Sequence, residues 1–234
     1  MEILKLSTEA DVVKALATKI QECAKKAIEE SGVFRVGVSG GSLVKFLATG
    51  LPKISTDWSK WELFFCDERY VPTNNPDSTF GAYKEHLVPS VPLNESQFIR
   101  INSELPLSEC AADYQNKILQ KFKSDIPSFD LLLLGMGPDG HTCSLFPSHP
   151  LLEESKLLIA PISDSPKPPP ERVTMTFPLV NNSKCCIFAM TGSGKADMLK
   201  RILVDREPLP AGMVNPKNGK LYWIVDEAAG HHLP

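Results

Sequence analysis

The chain has 234 residues, 42% hydrophobic and 23% charged, an ordinary composition for a folded protein of one or two domains. At this length about 70% of the unfolded surface can be buried, which excludes disorder, a collagen-like repeat and a small cysteine-stapled scaffold. The 25 basic and 28 acidic residues give a net charge of -3 with no long single-sign block, so neither nucleic acid nor an anionic membrane is an expected partner.

Ser7 and Thr8 open a stretch in which Val12, Leu16, Ile20, Cys23, Ala24, Ala27 and Ile28 recur at helical spacing, and Ser31-Gly32 supplies the stop. Residues 33–38 then read as a buried strand, Ser39-Gly40-Gly41-Ser42 as a tight loop, and 43–49 as a helix closed by Gly50. The rhythm continues with strand 61–66, helix 78–87, short strand 98–101, helix 108–122 and strand 129–134. Strand candidates at 157–162, 172–177, 185–190 and 221–225 follow, with a helix over 195–204. Pro166 to Pro170 is too short a proline run to separate domains and reads as a stiff polyproline approach to Glu171-Arg172. Such alternation predicts one α/β domain over 1–234, three-layered and doubly wound, with a mostly parallel sheet covered by helices on both faces and room for a small subdomain.

Six cysteines without a C-x-x-C pair, and an N-terminus without an apolar signal core, lead us to expect a cytoplasmic protein. The apolar stretches are far shorter than the ~20 residues that span a bilayer. A small-molecule substrate and a monomer are the expectations for partners.

In a doubly wound sheet the ligand crevice lies beyond the carboxyl ends of the strands, so the loops that follow strands are where chemistry is sought. In Gly37-Val38-Ser39-Gly40-Gly41-Ser42 the glycines let backbone N–H groups converge on an anion at a helix start, which suits a phosphate. The same residues also fit G-x-S-x-G, with Ser39 as the nucleophile of a serine hydrolase. Cys66-Asp67-Glu68-Arg69 gathers three charges at a strand end. Gly135 to Pro147 follows an all-leucine strand and carries His141, an imidazole suited to base chemistry near neutrality, with Asp139 able to fix its tautomer or raise its basicity.

Arg172 and Lys195 are further cations beside strands. Thr191-Gly192-Ser193-Gly194-Lys195-Ala196 fails as a nucleotide-binding P-loop, since Ala189 and Ala196 stand where a glycine and a hydroxyl are needed, yet it suits a monophosphate. Asp139, His141 and Cys143 match no usual zinc spacing, so no metal or other cofactor is expected.

Together, Val38 to Ser42, Cys66 to Arg69, Gly135 to Pro147, Ala160 to Val173 and Gly194-Lys195-Ala196 resemble the animal type of the 6-phosphogluconolactonase family, and they cover nearly the whole chain in order. The resemblance implies the fold shared with glucosamine-6-phosphate isomerase/deaminases and hydrolysis of a phosphorylated sugar lactone. It implies that Gly40, Gly41 and Ser42, with Arg172 and Lys195, hold the phosphate. Arg69 would stand near the carbonyl end and His141 would be the catalytic base. Two other readings stay open: an amino-sugar-phosphate isomerase or deaminase with Asp67 as base, and a non-catalytic phosphosugar binder. One departure is local: Ser148-His149-Pro150 follows the S-L-F-P of the histidine loop where bacterial relatives often carry glycine.

Overall fold

The helical periodicity at the start of the chain becomes α1, Glu9–Ser31, in the computed structural model, which describes residues 1–234. The Thr8 hydroxyl caps it by accepting the Asp11 N–H, and Gly32 ends it at φ 74°, where a side chain would be strained. Ahead of α1 lies a strand that the sequence reading does not anticipate, β1 at Glu2–Leu6. There follow β2 (Phe34–Val38), α2 (Ser42–Gly50), β3 (Trp61–Phe65), β4 (Asp67–Arg69), α3 (Thr79–His86), β5 (Phe98–Ile99), α4 (Leu107–Phe122) and β6 (Leu131–Leu134). The remainder is β7 (Ile159–Ile162), β8 (Arg172–Met175), α5 (Phe177–Val180), β9 (Cys185–Met190), α6 (Ala196–Leu199) and β10 (Lys220–Asp226). The helix expected over 195–204 is composite, since α6 runs on into a π turn at Lys200–Val204.

Seven strands form the main sheet in the order β1-β10-β9-β6-β2-β3-β5. Every neighbouring pair in it is parallel. Strand alternation sends side chains to opposite faces, and β6 shows the result: Leu131 and Leu133 join one buried cluster with residues of α1, α2 and α3, while Leu132 and Leu134 join another with residues of α4, α5 and α6. The three layers and mostly parallel sheet are therefore as expected.

Three strands leave that sheet. The stretch Asp67–Arg69, expected as a loop, is strand β4, and it pairs antiparallel with β8, which pairs antiparallel with β7. The small sheet is tied to the main one where the Cys66 N–H donates to the Val38 carbonyl (2.9 Å) and the Met175 N–H to the Cys66 carbonyl (2.8 Å). Its register sets Arg69 directly opposite Arg172. The charges of Asp67 and Arg69 thus project from a strand edge over the carboxyl end of β2 rather than from a solvated turn.

Candidate active site

The carboxyl ends of β2, β6 and β9 and the edge of the small sheet enclose a cleft of about 180 Å³. It is lined by Ser39, Gly40, Gly41 and Ser42 from the first loop, Asp67 and Arg69 from β4, His141, Arg172 from β8, and Lys195. Every candidate lines this one cleft except Asp139, which reaches it through His141.

Gly41 precedes α2 at φ 71°, a backbone state natural to glycine, and this turns the loop so that α2 begins at the cleft wall. The Ser39 hydroxyl is buried without a hydrogen-bond partner, while its carbonyl accepts the Tyr83 hydroxyl at 2.7 Å. A serine nucleophile needs its hydroxyl bonded to a base, so the serine-hydrolase alternative loses its geometry.

The histidine loop is held by the Gly137 N–H donating to the His141 carbonyl (2.9 Å) and the Gly140 N–H to the Gly137 carbonyl (3.0 Å). The imidazole lies across Gly137 so closely that a methyl group there would overlap Cε1 and Nδ1, which explains the glycine. Nδ1 is 2.5 Å from the Asp139 carboxylate, and Phe146 flanks the ring with centroids 4.7 Å apart. Burial would raise the Asp139 pKa, but hydrogen bonds from His141 and Lys167 outweigh it and hold the carboxyl at about 2. An ionised carboxylate only accepts, so Nδ1 carries the proton and Nε2 keeps its lone pair for the cleft. Burial moves His141 below its ordinary value despite the favourable Asp139 charge, so the basicity increase anticipated from Asp139 does not prevail.

Lys167 is the participant that sequence reading missed. Its ammonium donates to Asp139 Oδ1 at 3.0 Å and stands 3.2 Å from His141 Nδ1. The proline run, read above as a stiff approach to Arg172, in fact returns over the site. Its carbonyls at Lys167, Pro168 and Pro169 accept from the Arg172 guanidinium. Arg172 is only 3% exposed and meets Ser144 Oγ at 3.4 Å and the Asp67 carboxylate at 3.9 Å. The guanidinium is therefore fixed in place rather than swinging in solvent. Ser144, also unforeseen, donates its hydroxyl to Asp67 at 2.7 Å.

Arg69 Nη1 donates to the Asp77 carbonyl at 3.0 Å, and Lys195 Nζ to the Met136 carbonyl at 2.7 Å. Burial lowers the Lys195 pKa, and the positive charge of Lys167 adds to that. Glu68, the middle charge of the Asp67-Glu68-Arg69 triplet, does not line the cleft. Its buried carboxylate accepts the N–H groups of Arg69, Thr79 and Phe80, capping the start of α3.

Residues 7–223 match the family described as glucosamine-6-phosphate isomerases/6-phosphogluconolactonase. The chain belongs to this family. Among relatives of the glucosamine-6-phosphate isomerase/6-phosphogluconolactonase family, the 6-phosphogluconolactonase of Homo sapiens is 55% identical over 208 residues, covering 86% of this chain and 81% of that protein. The probable 6-phosphogluconolactonase of Drosophila melanogaster is 46% identical over 236 residues, covering 100% of this chain and 96% of its own. The crystal structure of 6-phosphogluconolactonase from Thermotoga maritima superposes with a TM-score of 0.83 at 30% identity, covering 96% of this chain and 99% of that one. The family fold is thus the three-layer parallel architecture described above.

Proposed function

We propose that this chain hydrolyses 6-phospho-D-glucono-1,5-lactone to 6-phospho-D-gluconate, the lactonase step of the oxidative pentose phosphate pathway, with residues 1–234 acting as one domain. The observation that carries the reading is His141, its Nδ1 engaged by Asp139 and its ring lining a cleft walled by Arg69, Arg172, Lys195 and the glycine loop. Its family membership and its resemblance to human and fly proteins of that name support the same reading.

In this mechanism Nε2 takes a proton from water as the water oxygen attacks the C1 carbonyl. The imidazolium then protonates the ring oxygen as the C1–O bond breaks, so no covalent enzyme intermediate forms. Asp139 balances the charge on the ring in that interval. The tetrahedral oxyanion needs N–H donors where its charge develops, and Arg69 supplies them on the β4 wall. The Gly40, Gly41 and Ser42 amides at the start of α2, with Arg172 and Lys195, receive the phosphate. Every step is assigned to side chains and water, without a metal. The substrate is a small soluble molecule, and no helix of the chain is long and apolar enough to cross a membrane.

The test is hydrolysis of freshly generated lactone, coupled to 6-phosphogluconate dehydrogenase with chelator present and the spontaneous rate subtracted. A large enzyme-dependent rate that survives chelation is expected. A rate equal to background would overturn the proposal. Ammonia release from glucosamine 6-phosphate would move the chemistry to the isomerase side of the family.

A further inference from the structure

Four of the six cysteines fall in two groups: Cys23 packs against the buried cluster that holds Cys185, and Cys66 and Cys143 share the other cluster. In the second pair Cys66 is fully buried and Cys143, 6% exposed, lines the floor of the catalytic cleft. The first lies elsewhere. Cys23 sits half-buried on α1, and Cys185, buried, is the first residue of β9, against which α1 rests. Both line a surface cleft of about 670 Å³ together with Lys19, Lys26, Lys184 and Lys220.

A thiol pair becomes a reactive site when one sulfur is reachable, ionises readily and has a second sulfur within reach. Cys23 meets these conditions. The neighbouring Cys185 thiol lowers the Cys23 pKa, and Lys19 adds to this against burial, Glu22 and Asp130. Cys185 is pushed up by Cys23 and by burial, so it serves as the protonated partner. Cys143, at the floor of the catalytic cleft, is pushed up by Cys66 and by burial, and Cys66 behind it is fully buried, so that pair offers no readily ionised sulfur.

We propose that Cys23 and Cys185 form a peroxide-responsive pair, with Cys23 the attacking sulfur and Cys185 the resolving one, closing to a disulfide that ties α1 to β9. The Cys23 thiolate displaces hydroxide from hydrogen peroxide and becomes a sulfenic acid. The Cys185 sulfur then attacks it, losing its proton and expelling the sulfenic hydroxyl as water. Two thiols are oxidised to one disulfide, and one peroxide is reduced to two waters.

The six-residue strand β9 separates this pair from the catalytic cleft, since Cys185 begins the strand while Ala189 and Met190 line the cleft at its far end. At ~3.3 Å per residue that is about 17 Å, so lactone turnover reports folding independently of the disulfide.

The experiment treats the whole native chain with graded hydrogen peroxide, blocks the remaining thiols and maps the peptides by mass spectrometry. The expected result is loss of two of the six thiols in a Cys23–Cys185 linkage, reversal by dithiothreitol, and a higher thermal midpoint in the oxidised form. Cys185→Ser leaves Cys23 without its resolving partner, so Cys23 proceeds to sulfinic acid, and Cys23→Ser abolishes the reaction. Unchanged lactone turnover in both variants shows that they fold. Over-oxidation of Cys23 in the unaltered chain without a Cys185 linkage, a disulfide between two copies of the chain, or earlier oxidation at Cys66 or Cys143 would each overturn the proposal.

Discussion

His141 lies between opposed influences: burial depresses its pKa, the Asp139 carboxylate raises it, and the Lys167 ammonium depresses it again. The net effect keeps the ring neutral, with Nε2 basic, at neutral pH. Removing the imidazole in His141→Ala, or replacing it with a non-basic amide in His141→Asn, is expected to lower kcat by about 10²- to 10⁴-fold, the usual contribution of a general base. Calorimetric binding of 6-phosphogluconate should persist, and full activity in both variants would refute the base assignment. Lys167 allows a finer test. Lys167→Met removes a cation beside Nδ1, so the His141 pKa rises and the acidic limb of the kcat/KM profile moves to higher pH, while Lys167→Arg holds it in place. An unmoved limb in Lys167→Met would reduce Lys167 to a packing role. That His141, Asp139, Arg69, Asp67, Arg172 and Lys195 come together in one candidate site was legible because each follows or begins a strand in a stretch of unusual composition. Lys167 was not, because its importance depends on the proline run folding back over the cleft, and a lysine among prolines carries no local mark of that return. Ser144 was hidden in the same way, since its partner Asp67 is distant in sequence.

At the scale of elements, the histidine loop works by close approach. Gly137→Ala puts a methyl group into the space of the imidazole. The ring must move away from Asp139, and kcat should fall while the thermal midpoint changes little. A crystal structure of this variant with an undisplaced ring would contradict that account. Elements with strong periodicity, α1 and α4 above all, were readable because their buried faces repeat every three to four residues. Two strands were not. In β1, Glu2 and Lys5 interrupt the apolar pattern at the sheet edge, so its five residues look like a leader to α1 rather than a strand. In β4 all three residues are charged, a composition that argues for a turn until the pairing with β8 is known. Glu68 is the most instructive of them, because a carboxylate that caps α3 from another element cannot be recognised from its neighbours in sequence.

At the scale of the whole molecule, the main sheet divides the interior into two cores. Leu16 of α1 is 1% exposed in one, and Leu199 of α6 is 0% exposed in the other. Truncating either to alanine should cost about 2 to 5 kcal/mol, and the double variant should equal the sum within about 0.5 kcal/mol, because the two sites share no partners. Denaturant unfolding checks this, and a marked deviation from additivity would mean that the sheet transmits strain between its faces.

The small sheet sets Arg69 directly against Arg172, and like charges facing each other across two strands are locally frustrated. A phosphate held by Arg172 and Lys195 brings about two negative charges to the Arg172 side of this pair, so ligand binding relieves a conflict built into the scaffold. Millimolar inorganic phosphate should therefore raise the thermal midpoint of this chain, and by less in Lys195→Ala, which lacks a third cation of the same cleft. No rise in the unaltered chain would mean that the carbonyls of the proline run already satisfy Arg172. Arg172, crowded by Arg69 across the strands, thus makes a bound phosphate a structural component of the protein for as long as it is held.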